Sequence, residues 1–408
     1  MTFARVVPSL ALVAILLRLA STLPAADRLP PVVIRRVPDG GIQPQVAVGK
    51  DGSVHLIYFQ GEAAAGDVFY CSSPPEDDTF SEPVRVNSQP LSAIAVGTIR
   101  GAHLAVGKEG RVHVAWNGSG KATPRGLANP DVPEGSPYRF SSPMLYTRGE
   151  VGGTRFEPQR NLMTHTYALD GGGSLAADGD GNVYVVWHAN SLRAEGRGES
   201  SRAVWGAVSR DEGATFSAER RINVRETGAC GCCGLRAGAN ERGELFVLYR
   251  SAEQSVNRDM QLLLSKDRGR HFDGTMLDAW EVPQCVMSSA SLLATNGQML
   301  AAWETKQQIK FARVDDLVAG ASPLIWGPKA GELSRKHPVL AVNANGQILV
   351  AWTEGTGWQK GGALAWQLFD RHGTPLPDAA GRVEGIPVWS FAGAYAHPHG
   401  DDGFTIIY

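Results

Sequence analysis

Helical periodicity is almost absent after residue 26, and no later stretch is apolar enough to span a bilayer. The first absence excludes a helix bundle; the second excludes a helical membrane span beyond that point. Charge of one sign is also missing, with 39 Lys and Arg against 41 Asp and Glu. Nothing in that balance draws the chain to nucleic acid or to an anionic membrane surface. Cysteine is sparse, five residues in 408, and four of the five lie between positions 230 and 285.

The opening segment differs from the rest. A basic residue (Arg5), an apolar run from Val6 to Ala20 and small residues before Asp27 read as an export signal, residues 1–26. Arg18 and Pro24 fit that pattern less well, and a retained anchor is the alternative reading. Removing the segment takes away Arg5 and Arg18, which leaves 37 basic against 41 acidic residues and a formal charge of −4. The expected location is secreted or periplasmic, as a monomer, with residues 27–408 forming a single domain.

What the chain has in abundance is a repeat. Seven ungapped copies of one fourteen-residue pattern run from QVAVGKDGSVHLIY (45–58) to YAHPHGDDGFTIIY (395–408), each with glycine at its eighth place and Tyr or Trp at its last. Each copy reads as a strand, a tight turn and a second strand, with the glycine supplying the positive φ of the turn. The second strand is apolar throughout in VHVAW, VYVVW and LFVLY, as suits a strand covered on both faces. Third strands follow at DVFYCS (67–72), AVWGAVS (203–209), DMQLLLS (259–265) and ALAWQLF (363–369). Fourth strands follow at PVRVN (83–87) and RRINV (220–224).

Four-stranded units repeated radially make an all-β fold, a β-propeller. Seven blades is the literal count, and six is open if two hairpins share a sheet. The seventh unit has no outer strands after it, so VVIRRV (32–37) is expected to close the ring as an N-terminal strand. Trp116, Trp187, Trp303 and Trp352 end second strands and are expected between blades. The Pro- and Gly-rich insertion 118–142 reads as a surface loop or as a lid on the central pocket.

Two segments, SRDEGATF (209–216) and SKDRGRHF (265–272), share the pattern Ser-x-Asp-x-Gly-x-x-Phe, and SSPPEDDTF (72–80) is a worn relative. In these turns the aspartate accepts backbone N–H groups, the glycine permits the bend and the ring plugs the sheet edge. The pattern resembles the Asp-box (BNR repeat) of the sialidase, or neuraminidase, superfamily, and the blade repeat extends the likeness over most of the chain. The resemblance implies a propeller whose sialidase members hold a substrate carboxylate with three arginines. It also implies a tyrosine nucleophile with a glutamate partner, and an aspartate acid/base.

Arg250 follows unit four where such members carry an arginine of the triad, but the place of their glutamate is Gly234. Arg36-Val37-Pro38 only echoes the early Arg-Ile-Pro signature. Arg100, Arg236 and Arg250 are the candidate grip on an anionic sugar, and Tyr395 is a candidate nucleophile. Asp170, in LDGGGS, is a catalytic candidate or a turn cap.

With the repeat as a ruler, Cys230, Cys232 and Cys233 lie just before unit four and Cys285 just before unit five. Corresponding loops of adjacent blades are neighbours, so these four should converge near the axis. Met287, His103, His337 and His397 fall on the same rim. Thiolate, thioether and imidazole suit a soft or borderline ion such as Cu or Zn. The alternatives are a redox-active thiol site or a staple, Cys230–Cys285 or Cys233–Cys285. Cys71 reads as a buried small hydrophobe.

Three functions follow. One is an exported module with a soft metal or reactive thiols at the axis, taking a small molecule or metal. Another is a sialidase-like exo-glycosidase or anionic-sugar lectin, taking a carbohydrate. The third is a scaffold with structural disulfides only.

Overall fold

A computed structural model describes residues 29–408 apart from 78, 137, 151–154, 194, 195, 197, 296 and 399–401. The proposed export signal lies outside the described residues. Five four-stranded antiparallel blades, one five-stranded blade (the third) and one three-stranded blade form the protein, a seven-bladed β-propeller. The six-blade alternative is thereby excluded: each fourteen-residue unit builds a sheet of its own.

Blade one shows the plan, with strands Ile42–Val48, Val54–Glu62, Ala65–Ser73 and Val84–Arg85 from hub to rim. The other inner strands are His103–Val106, Gly173–Ala177, Arg236–Ala239, Ala290–Thr295, Arg335–Val342 and Gly393–Ala396. In blades one to six the turn glycine adopts φ between 73° and 90°. In blade seven Asp402 takes that role at φ 56°, one residue before Gly403. An aspartate tolerates this left-handed conformation better than most side chains, so the turn survives the shift.

The second strands are apolar on both faces because each blade is covered by two neighbours. Val112, Val114 and Trp116 of blade two pack with Ile57, Phe59 and Tyr70 of blade one. Ala115 and Tyr146, on the opposite side of blade two, pack with Val185 and Trp187 of blade three. Trp116, Trp187, Trp303 and Trp352 are all nearly free of solvent contact.

The Asp turns brace these sheets from outside. Asp211 Oδ1 accepts from the Thr215 amide at 2.9 Å and Oδ2 from its hydroxyl at 2.6 Å, while the Gly213 amide donates to Ser209 Oγ. Asp267 accepts from the His271 amide at 2.8 Å and from its ring Nδ1 at 2.5 Å, so histidine replaces threonine without loss of the contact. A further turn of this type, absent from the sequence reading, is built by Asp370 with the amides of His372 and Thr374.

Val32–Arg35 lies parallel to Phe404–Ile407, with Val32 beside Phe404 and Arg35 beside Ile407. The closing strand expected from VVIRRV is therefore the third strand of blade seven. The insertion 118–142 does not cover the hub. Lys121, Thr123 and Arg125 bond to Gln89, Gln159 and Asn161, at the edge of blade two near its outermost strand. The lid reading is corrected accordingly: none of its described residues lines the central channel.

Two expectations test this architecture. Ile34 points into the core cluster of blades six and seven, so Ile34→Asp should lower the unfolding free energy by about 2 kcal/mol. An unchanged denaturant midpoint would mean the ring closes by other means. Burial pushes His113 and His337 down to about 3 and His188 to about 4. These rings are neutral in the fold but titrate near 6.5 when unfolded. Stability is therefore complete above pH 6.5 and declines as pH falls toward 3, by about 1.4 kcal/mol per pH unit for each neutral ring. Denaturant midpoints at pH 7 and pH 5 should differ, and His113→Gln should flatten the profile.

Candidate functional site

The axial channel is lined by the inner strands of all seven blades, and its residues include Gln45, His103, Ser174, Arg236, Ser289 and His337. The loops that lead into those strands cover one face of the disc. On that face the four late cysteines come together. Cys232 and Cys285 form a disulfide with Cα atoms 6.5 Å apart, across 53 residues of sequence. Cys230 Sγ lies 2.9 Å from Cys233 Sγ and 3.4 Å from Cys232 Sγ. The convergence read from the repeat is present, with two corrections.

First, the disulfide joins Cys232 to Cys285; neither of the two pairings named from the sequence forms. The local loop decides this. The Cys230 amide donates to the Arg250 carbonyl at 2.9 Å, and the Cys233 amide donates back to Cys230. The turn thus directs Cys230 and Cys233 inward against Ala252, Trp280 and Val286 and leaves Cys232 on the outer side, half-buried. Cys285 is exposed. Second, the sulfurs do not line the channel. They sit beside its mouth, over the end of blade four's second strand, and the Ser288 amide reaches Cys233 Sγ at 3.4 Å while Ser289 faces the channel.

Blade three holds the cysteine loop from its other side. A Cβ on Gly171 would stand 2.5 Å from the Gly231 carbonyl oxygen and 2.6 Å from that of Cys233, so only glycine allows this approach. His188 Nε2 donates to the Cys233 carbonyl at 2.9 Å, and its Nδ1 is buried without a partner. Glu199 accepts from the Gly231 amide at 2.7 Å and pairs with Arg258 at 2.7 Å.

The two inner thiols are unlike. A hydrogen bond from the Cys233 thiol, then the charge of Arg258, holds Cys230 below the ordinary thiol value against the opposing effect of burial. Burial, together with the bond to Cys230, pushes Cys233 well above it. One thiol is thus disposed to ionise and the other to keep its proton. The signal was available in the sequence: Cys-Gly-Cys-Cys contains a C-x-x-C spacing, Cys230 to Cys233, that the crowded central cysteine obscures. Cys71 is fully buried in blade one and its thiol is pushed up to about 12 by burial, as suits an apolar packing residue.

The other candidates lie elsewhere. Among the described residues, the sulfur atoms that gather within 4.8 Å of one another belong to Cys230, Cys232 and Cys233, with no imidazole among them. His103 and His337 face the channel, and His397 bonds to Thr405 Oγ1 at 2.9 Å. Met287 lines a separate cleft with Trp358 and Trp389. His103 and His337 thus stand apart from the sulfurs, because the inner strands carry these histidines and the loops carry the cysteines.

The three arginines have separate engagements. Arg100 pairs with Asp170. Arg236 donates to His103 Nε2 at 2.8 Å in the channel. Arg250 is 2% exposed and donates to the Arg258 carbonyl and Ser288 Oγ at 2.6 and 2.9 Å, with its guanidinium 5.2 Å from the Trp280 ring centre. In that setting it braces the floor under the cysteines and presents no free fork to a carboxylate. Tyr395 packs in the core with Val37, Leu56 and Ile407.

No protein-family model matches the chain, and no curated protein matches it in sequence. Among solved structures, a protein of unknown function from Dyadobacter fermentans is similar at 16% identity and TM-score 0.51, over 89% of this chain and 100% of that one. An α-L-arabinanase from Penicillium chrysogenum, solved with arabinobiose, is similar at 13% identity and TM-score 0.52, over 85% of this chain and 99% of that one. A Trypanosoma rangeli sialidase, solved with the inhibitor DANA, is similar at 11% identity and TM-score 0.49, over 81% of this chain and 57% of that one. At such identities the likeness to the first two is one of fold alone, and that fold is a β-propeller.

Proposed function

We propose that the chain is an exported thiol–disulfide redox protein, with residues 1–26 as its export signal and residues 27–408 as one propeller domain that carries the sulfur centre. The observation that supports this reading best is the contact between a dithiol and a disulfide, Cys230 Sγ being 3.4 Å from Cys232 Sγ and 2.9 Å from Cys233 Sγ. An extracytoplasmic compartment is where such a disulfide persists.

The chemistry follows from the order of the sulfurs. The Cys230 thiolate attacks Cys232 Sγ, forms a Cys230–Cys232 bond and releases Cys285 as thiolate. Cys233, giving up its proton, then attacks Cys230 Sγ and releases Cys232. Two electrons have moved from the inner pair to the outer pair, and no atom is gained or lost. A partner disulfide reoxidises Cys232 and Cys285 at the exposed Cys285. Run backward, a partner dithiol loads the inner pair. Arg258 stabilises the thiolate at Cys230, and His188 and Gly171 hold the loop.

A second reading has its own observation. The three sulfurs within 4.8 Å would hold a soft ion, Cu(I) or Zn(II), once the Cys232–Cys285 bond is reduced. The glycosidase and lectin reading has less support, since Arg100, Arg236 and Arg250 share no common ligand position and Arg250 is buried.

Thiol counting on protein purified without reductant or chelator should find three reactive thiols after denaturation, Cys71, Cys230 and Cys233, and five after reduction. Oxidation should then join Cys230 to Cys233. In Cys285→Ser, reduction of that inner bond by an external dithiol should slow by about tenfold or more, because the inner sulfurs are buried. Equal rates in both proteins would remove the relay. Stoichiometric Cu(I) or Zn(II) on the purified chain, with five thiols before reduction, would instead establish the metal reading.

A further inference from the structure

The axial channel is a second site, independent of the sulfur chemistry. Its wall carries one guanidinium and no carboxylate. Arg236 is half-buried, and loss of water alone brings it down to about 10, with no acidic neighbour to offset that loss. A partly desolvated cation without a counter-charge favours the approach of an anion.

The hydrogen bonds around Arg236 orient the wall. Its NH1 donates to His103 Nε2 at 2.8 Å and to the Leu235 carbonyl at 3.2 Å. Nε2 must therefore be the acceptor, and the proton of the neutral ring sits on Nδ1. Burial first, then Arg236, holds His103 well below its usual value, which keeps the ring in this form. Nδ1–H donates to Ser174 Oγ at 3.3 Å, and the Ala237 amide donates to the same oxygen at 3.1 Å. With both lone pairs of Ser174 engaged, its hydroxyl proton is left to donate toward the channel. Ser289 is similar: Oγ accepts from the His337 amide at 2.7 Å and has a proton to give. The remaining nitrogens of Arg236 and two serine hydroxyls thus face one cavity of about 140 Å³. Gln45 and the neutral ring of His337 complete the polar part of the wall.

We infer that the channel binds a small oxyanion, a carboxylate or a tetrahedral phosphate or sulfate, gripped by Arg236 and the hydroxyls of Ser174 and Ser289. His103 is a positioning residue: it takes up NH1 and so sets the plane of the guanidinium.

Calorimetric titration of the full chain in chloride-free buffer, with sodium acetate, phosphate and sulfate in separate arms, tests this. One anion per chain should bind at millimolar affinity or better, and the three arms distinguish a planar from a tetrahedral ligand. Arg236→Met should weaken binding by about tenfold or more, and Ser174→Ala by about fivefold. Ser174→Ala removes only a hydroxyl and keeps the test open if Arg236→Met does not fold. Unchanged affinity in Ser174→Ala and in any folded Arg236→Met would place the anion elsewhere and overturn the inference, as would no binding in any arm.

Discussion

The parallel pairing of Val32–Arg35 with Phe404–Ile407 is the contact on which the rest depends. It joins the two ends of the described chain and makes seven separate sheets into one ring. Its hydrogen bonds continue beyond the strand, from Val37 to the Tyr408 carbonyl and from Tyr408 to the Arg35 carbonyl, both at 3.0 Å. An open ring would leave a bare sheet edge and a solvated face on blade seven. It would also release the angle between blades, and with it every juxtaposition on the upper face. The sulfurs meet because blades three, four and five are held at a fixed angle around the hub.

That geometry sorts chemistry by depth. Inner strands bring Arg236, His103 and His337 into the channel, whereas the loops ahead of those strands bring Cys230, Cys232, Cys233 and Cys285 onto the face. The two groups are close in sequence, Cys233 standing three residues before Arg236. They nonetheless serve different environments. One is a shell of buried thiols with Arg258 and Glu199 beside it; the other is a polar cavity with one guanidinium and no carboxylate in its wall. Arg250 lies beneath the sulfur group and supports it from inside, its guanidinium taken up by backbone carbonyls and the Trp280 face. It is placed in sequence like a substrate-binding arginine, and its burial gives it a structural task.

Much of the fold was legible because a repeat is a physical ruler. The turn glycines and terminal aromatics set strand boundaries, and VVIRRV, β-rich and without a partner in the first unit, pairs with the last strand of the seventh. The Asp370 turn escaped notice because DRHGT lacks the serine and the phenylalanine of the fuller pattern. Loops were less readable. The insertion 118–142 could have crossed the hub or the rim, and only the bonds from Gln89, Gln159 and Asn161 settle it at the rim.

By itself the sequence determined the all-β class, the seven units, the closing strand and the neighbourhood of the four late cysteines. Each of these follows from periodicity, which is a local property. The tertiary structure decided which cysteine faces which, that the sulfurs lie beside the channel and not within it, and that the three arginines part company. Those outcomes depend on side-chain direction and on packing between residues distant in the chain. The Cys230–Cys233 turn is shaped by the Arg250 carbonyl behind it and by the Gly171 loop across from it, and neither contact leaves a trace in the spacing of the cysteines.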